Sequence, residues 1–139
     1  MDKRQINKKI IKKLINVFQK YDNIVAVYIF GSYGTEQYNN NMSDIDFAVL
    51  FENKKNEEEI FIELTEIFKT DNVDVLDLEN IPIFLKYKII KNGNLIYENK
   101  EKSLDDFIEN VLKFYFDEKY RFDQYYKDYE KSLKDKYAG

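Results

Sequence analysis

The chain has 139 residues, a length typical of one domain with one hydrophobic core. Its 22 basic and 26 acidic residues give a net charge of -4, so no overall positive field favours binding to nucleic acid. Because the chain has no Cys and no His, thiol nucleophiles, Cys/His zinc sites and imidazole catalysis are excluded, which leaves carboxylates, hydroxyls, amines and hard metal ions bound through oxygen.

The first half of the chain contains two helical patterns and two strand patterns. Apolar residues recur every three or four positions over 6–21, which predicts an amphipathic helix. Residues 24–30 form a continuous β-branched and aromatic run that predicts a strand buried on both faces. A polar loop then leads to a second strand over 45–51, and an apolar stripe predicts a helix over 57–69.

The second half begins with a strand-like run over 73–78. Pro82 suits a helix start and Asn92-Gly93 a helix end, so a helix is predicted over 83–91, followed by a short edge strand over 95–97. Ser103 is the expected N-cap of a long helix or helix pair that fills the rest of the chain. This order predicts an α/β (α+β) fold, with a small mixed sheet of three to four strands flanked by helices.

We expect a single domain over 1–139, with a catalytic core over 1–100 and a helical extension over 101–139. Four lysines near the start of the first helix are interpreted as a solvated helix face: Lys8, Lys9, Lys12 and Lys13. No apolar run approaches the roughly 20 residues that span a bilayer, which predicts a cytoplasmic protein without membrane contact.

Asp44 and Asp46 stand at the start of the second predicted strand. Side chains two positions apart on a strand share a face, so these carboxylates converge while Ile45 and Phe47 point to the other side. Two adjacent carboxylates repel unless they bind a cation or lie in water, and magnesium is the usual cation where a nucleotide polyphosphate binds. An isolated Asp-x-Asp is also compatible with a solvated strand entrance.

The sequence around Asp44 and Asp46 favours a phosphate- and metal-binding site over a solvated strand entrance. Gly31 and Ser32 follow the first predicted strand, where a turn can present N–H groups and a hydroxyl to a phosphate. A third carboxylate, Asp74, interrupts the apolar run over 73–78, a costly position unless the group is satisfied or used. It is a candidate for the base that takes a proton from an attacking hydroxyl, or for a further metal ligand. Asp77 points to the opposite face of an ideal strand and better suits a cap or the surface.

These residues resemble the signature of the nucleotidyltransferase superfamily that includes DNA polymerase β and kanamycin nucleotidyltransferase. The whole chain is similar to a minimal nucleotidyltransferase of the MNT type, an antitoxin encoded beside a HEPN-domain toxin RNase. The resemblance implies transfer of AMP from ATP to a tyrosine of that toxin, which would be the partner in a hetero-oligomer. It also implies that Asp44, Asp46 and Asp74 hold two Mg²⁺ ions, and that Gly31 and Ser32 bind the triphosphate.

The chain departs from the family pattern at two points. Eleven residues, 33–43, separate Ser32 from Asp44, one more than the familiar interval, and Thr35 stands where members often have arginine. Two alternatives to protein adenylylation are transfer of a nucleotide to a small molecule or an RNA end, and neutralisation of a toxin by binding alone.

The last third of the chain is rich in tyrosine. These residues suit a partner-docking surface because tyrosine contributes rigid amphipathic area to interfaces. Some of them equally suit a continuation of the core stripe, and both interpretations can hold for different residues. The residues are Tyr115, Tyr120, Tyr125, Tyr126, Tyr129 and Tyr137.

Overall fold

A computed structural model describes the backbone over residues 8–30 and 45–137, and the side chains there except those of 126, 129, 133 and 135–137. In chain order the elements are α1 (Lys8–Gln19), β1 (Ile24–Phe30), β2 (Ile45–Phe51), α2 (Glu57–Phe68), β3 (Val73–Asp77), a 3-10 helix (Leu78–Asn80), α3 (Ile83–Asn92), β4 (Asn94–Glu98) and α4 (Leu104–Tyr137). Every predicted helix and strand is present within a few residues of its expected bounds.

The four strands form one mixed sheet in the order β3-β2-β1-β4. β1 pairs antiparallel with both β2 and β4, whereas β2 and β3 run parallel. The parallel pair requires a crossover, which α2 provides, because a tight turn joins only antiparallel strands. The predicted mixed sheet flanked by helices is confirmed, with β3 and β4 as its edges.

The two faces of the sheet bury separate apolar clusters. One face packs against α1 and α2, whose contributions are Leu14, Val17, Phe18, Ile60 and Leu64. The other packs against the 3-10 helix, α3 and the start of α4, through Leu78, Ile89 and Leu104. Burial on both faces explains why β1 and β2 are continuous apolar runs rather than alternating ones.

Local chemistry fixes several element ends. Ser103 Oγ accepts a hydrogen bond from the Asp106 N–H, so the predicted N-cap of α4 is confirmed. At the end of α3, a Cβ on Gly93 would lie 2.5 Å from the Ile89 carbonyl oxygen, which makes glycine the residue that fits there. α4 is one continuous helix, which decides between the two predicted arrangements of the C-terminal third.

Three expectations about the fold need a correction or stay open. The strand predicted over 73–78 ends at Asp77, because Leu78 starts the 3-10 helix and buries its side chain against the sheet. The loop expected between β1 and β2 lies outside the described residues. The division into a core over 1–100 and an extension over 101–139 stays a prediction. None of the helices described over 8–30 and 45–137 is long and apolar enough to cross a bilayer.

Candidate active site

Asp46 and Asp74 lie side by side on neighbouring strands. They are directly paired in the parallel register of β2 and β3, so both side chains project from the same face of the sheet. Asp46 is half-buried and Asp74 is exposed. The cost of burial expected for Asp74 does not arise, because its side chain is exposed, but two neighbouring carboxylates still repel each other. Such an arrangement is more readily explained by cation binding than by a contribution to fold stability.

The neighbours of Asp46 support the predicted orientation of its strand. Ile45 and Phe47 are buried in the cluster beneath α1 and α2, on the opposite face, as the alternation predicts. On the other side of β2, Asp46 is paired with Phe30, the last residue of β1. The end of β1 and the start of β2 therefore meet beside Asp74.

Three of the predicted site residues, Gly31, Ser32 and Asp44, lie outside the described residues. Along the chain, Gly31 directly follows Phe30 and Asp44 directly precedes Ile45. The roles of these residues therefore stay predictions.

Asp77 has a structural role instead. It is the N-cap of the 3-10 helix: its carboxylate accepts a hydrogen bond from the Glu79 N–H at 3.0 Å and one from the Asn80 side-chain amide at 2.6 Å. Lys54 Nζ lies 3.8 Å from the same carboxylate. In the register, Asp77 is opposite Val49, which belongs to the α1/α2 side. The prediction that Asp77 is a cap is confirmed, and it faces away from Asp74.

The described donors suit a hard cation. Carboxylate oxygens are the ligands that Mg²⁺ prefers, and adjacent carboxylates on rigid strands can hold it without rearrangement of the backbone. Over 8–30 and 45–137, no three His, Cys, Asp or Glu side chains form a metal-binding group. The predicted third ligand, Asp44, is not among those residues.

A groove of 460 Å³ adjoins Asp74 at the sheet edge. Its walls are β3, through Val73 to Val75, and the first turns of α2, which contribute Glu57, Glu58, Phe61 and Ile62. Glu57 and Glu58 were not expected from the sequence to lie beside Asp74. Acidic residues in a first helical turn are explained by the helix dipole alone, so only the strand order shows that they adjoin Asp74.

The largest described pKa shift lies elsewhere, where the chain just after α1 meets α2. A hydrogen bond from Lys20 and one from Tyr21 lower the pKa of Glu63. Burial and the same contact with Glu63 raise the pKa of the Tyr21 phenol. This cluster holds the two helices together beneath the sheet, on the face opposite the carboxylate pair.

The tyrosines of α4 divide into two groups. Tyr115 is half-buried and stacks on Tyr87 of α3 with 3.6 Å between ring centroids, which agrees with the core interpretation. Tyr120 and Tyr125 are exposed, at 67% and 65%. The side chains of Tyr126, Tyr129 and Tyr137 lie outside the described part. The exposed rings leave the docking interpretation open for the second half of α4.

Comparison with known proteins places this arrangement in a class. The family model for polymerase beta nucleotidyltransferases matches residues 12–102. Protein adenylyltransferase MntA of Aphanizomenon flos-aquae (strain 2012/KM1/D3) is 29% identical over 112 residues, which cover 70% of this chain and 73% of that protein.

Two solved structures share the fold. One chain from a crystal structure of a toxin-antitoxin with AMP-PNP superposes with a TM-score of 0.65 at 22% identity, covering 86% of this chain and 98% of that one. A chain from the complex of tri-AMPylated Shewanella oneidensis HEPN toxin with MNT antitoxin gives a TM-score of 0.64 at 20% identity, covering 90% and 99%.

The mixed sheet, its flanking helices and the carboxylate pair on adjacent strands define a nucleotidyltransferase fold. Because the family model matches well over half of the sequence, the chain belongs to the polymerase beta nucleotidyltransferase family. The predicted superfamily and fold are confirmed. The match ends at Lys102, just before α4 begins.

Proposed function

We propose that this chain is a magnesium-dependent protein adenylyltransferase that acts as an antitoxin. It transfers AMP from ATP to a tyrosine of a partner HEPN-domain toxin and thereby neutralises that toxin. The main observation in support of the proposal is that Asp46 and Asp74 are directly paired on adjacent strands of a nucleotidyltransferase sheet.

Similar proteins support the antitoxin part of the proposal. The Aphanizomenon relative is named a protein adenylyltransferase, and one structure of similar fold holds an AMPylated HEPN toxin with its MNT antitoxin. Another was solved with AMP-PNP, an ATP analogue, which supports ATP as the nucleotide donor.

The site residues divide the chemistry between them. Asp44 and Asp46 would hold two Mg²⁺ ions, with Asp74 as a further ligand, while Gly31 and Ser32 would bind the triphosphate. When bound, the ions supply charge neutralisation at the α-phosphate and at the departing pyrophosphate. Asp74 would accept the proton of an incoming hydroxyl, and its exposure supports this role.

A tyrosine acceptor suits this site. The phenol has a pKa near 10, far below that of an aliphatic hydroxyl, so a carboxylate next to a cation can activate it. Attack by the phenolic oxygen on the α-phosphorus forms the new ester bond as the bond to pyrophosphate breaks, and the phenolic proton passes to Asp74.

A neutralisation assay separates catalysis from binding alone. The wild-type chain and the double variant Asp44→Asn/Asp46→Asn are each expressed with the toxin encoded by the neighbouring gene. We expect the wild type to restore growth and the double variant to fail, although it still associates with the toxin in a pull-down. Full neutralisation by the double variant would show that binding suffices and would overturn the catalytic proposal.

A further inference from the structure

β3 is an edge strand whose outer side faces the groove beside Asp74. The Ile45 N–H donates to the Asn72 carbonyl at 2.8 Å, so the backbone groups of residue 72 point toward β2. Because these directions alternate along a strand, the N–H and C=O of Val75 point away from β2. In the described part of the chain, no strand pairs with this outer side.

The groove next to this edge combines apolar and acidic side chains, a combination that suits a peptide. Phe61 and Ile62 of α2 are 36% and 54% exposed and offer apolar contact. Three carboxylates, Glu57, Glu58 and Asp74, also line it, and none of its described lining residues is basic. Glu57 is in part neutralised by Lys54, whose Nζ lies 3.2 Å away, whereas Glu58 is exposed at the rim.

We propose that the outer edge of β3 binds an extended, basic segment of the acceptor protein by strand addition, which places the acceptor side chain on the face shared by Asp46 and Asp74. This inference rests on the proposed function and specifies how that function selects its substrate.

The geometry follows from the alternation of side chains along a strand. A segment paired with β3 directs every second side chain to the Asp74 face and the intervening ones to the α2 face. Cross-strand neighbours about 5 Å apart, and diagonal ones about 7 to 8 Å apart, are within reach of an aromatic side chain. A tyrosine on the added segment therefore reaches Asp74, and its two neighbours meet the α2 wall.

The charges of the groove predict what those neighbours are. Side chains next to the acceptor tyrosine would meet the α2 wall, which contains Phe61 and Ile62 together with Glu57 and Glu58. Lysine and arginine combine an apolar stem with a positive head, so they match this wall better than acidic residues. Substrate choice would thus depend on the residues that flank the tyrosine, as well as on the tyrosine itself.

A binding experiment tests the inference without relying on catalysis. Two fluorescent synthetic peptides contain a single tyrosine, flanked on both sides by lysine in one and by glutamate in the other. We expect the lysine peptide to bind the full chain about three- to tenfold more tightly by fluorescence anisotropy, as a small number of exposed ion pairs allows. Its binding should also slow hydrogen exchange at the Val75 amide.

A matched pair of charge-reversal variants tests whether the groove causes the preference for the lysine peptide. Glu58→Lys should remove or invert the preference for the lysine peptide. Glu66→Lys makes the same change in net charge on the same helix, at an exposed position outside the groove lining, and should leave the preference intact. Thermal unfolding of both variants checks that they fold.

The outcomes separate this inference from the proposed function when the same peptides are incubated with Mg²⁺ and ATP labelled at the α-phosphate. Selective binding and Val75 protection without any label would support the groove and count against adenylyl transfer. Labelling of both peptides alike, without Val75 protection, would overturn the groove and leave adenylyl transfer standing. Failure of the lysine peptide to bind, or equal effects of the two charge reversals, would also overturn the groove.

Discussion

The β2–β3 edge and the part of α4 from residue 114 onward depart from the usual distribution of side chains in opposite directions. In β2, a half-buried aspartate interrupts a strand whose other residues are buried and apolar. In α4, large aromatic rings such as Phe114 and Tyr120 are 60% and 67% exposed on a helix otherwise rich in charge. Each departure places a residue where it adds little to stability. The first suits chemistry on a charged ligand, and the second suits contact with another surface.

The largest expected effect tests where the stability of the molecule resides. Phe18 is fully buried and contacts the rings of Phe47 and Tyr97, so Phe18→Ala should lower the free energy of unfolding by about 3 to 5 kcal/mol. Urea denaturation followed by circular dichroism measures this change. A loss under 1 kcal/mol would show that the cluster beneath α1 and α2 is not the main core.

The carboxylate pair should behave in the opposite way, with a large loss of activity and little loss of stability. Asp46→Asn and Asp74→Asn should each reduce adenylyl transfer by about 10² to 10³-fold, because each removes a charge that acts on the reacting phosphate. The free energy of unfolding should stay the same or rise as repulsion between the two carboxylates is removed. Wild-type transfer rates in both variants would remove the pair from the mechanism.

Asp77 is the matched control for Asp74, because it is an acidic residue of the same strand, β3, but lies on the opposite face of the sheet. Asp77→Ala removes the cap of the 3-10 helix and should destabilise the chain by about 1 kcal/mol, while the transfer rate per folded molecule stays unchanged. A denaturation curve and an activity assay on the same preparation separate the two effects. A loss of transfer as large as that of Asp74→Asn would place Asp77 in the site.

The smallest effect is expected on α4. Phe114→Ala and Tyr120→Ala should each change the free energy of unfolding by less than about 0.5 kcal/mol, because their rings are mostly in water. Denaturation measured beside Phe18→Ala gives the comparison directly. If either variant approached the loss expected for Phe18, the exposed rings would be packing residues and the contrast between the two regions would fail.

Most of the fold could be predicted from local sequence. β1 and β2 have the bounds expected from their continuous apolar runs, because burial on both faces leaves no polar residue inside them except Asp46. The choice of Asp74 over Asp77 followed from the two-residue period of a strand, and the cap at Asp77 agrees with it. The prediction of where β3 ends was less accurate, because a buried leucine at position 78 fits a 3-10 helix as well as a strand.

The parts that could not be predicted depend on the arrangement of elements in space. No local pattern states that β3 lies at the edge of the sheet or that the first turn of α2 stands beside it. Glu57 and Glu58 therefore looked like ordinary residues of a helix start. For the last third of the chain, the sequence left open a long helix or a helix pair, and the structure shows one continuous helix.

Transfer of AMP from the carboxylate site to a partner protein can be followed by the position of the label in ATP. The chain is incubated with Mg²⁺ and the toxin of the neighbouring gene, with ATP labelled at either the α- or the γ-phosphate. We expect label on the toxin from α-labelled ATP only, and we expect it to be lost on addition of a chelator and in Asp46→Asn. Label from γ-labelled ATP, or no label beside an active control enzyme, would contradict it.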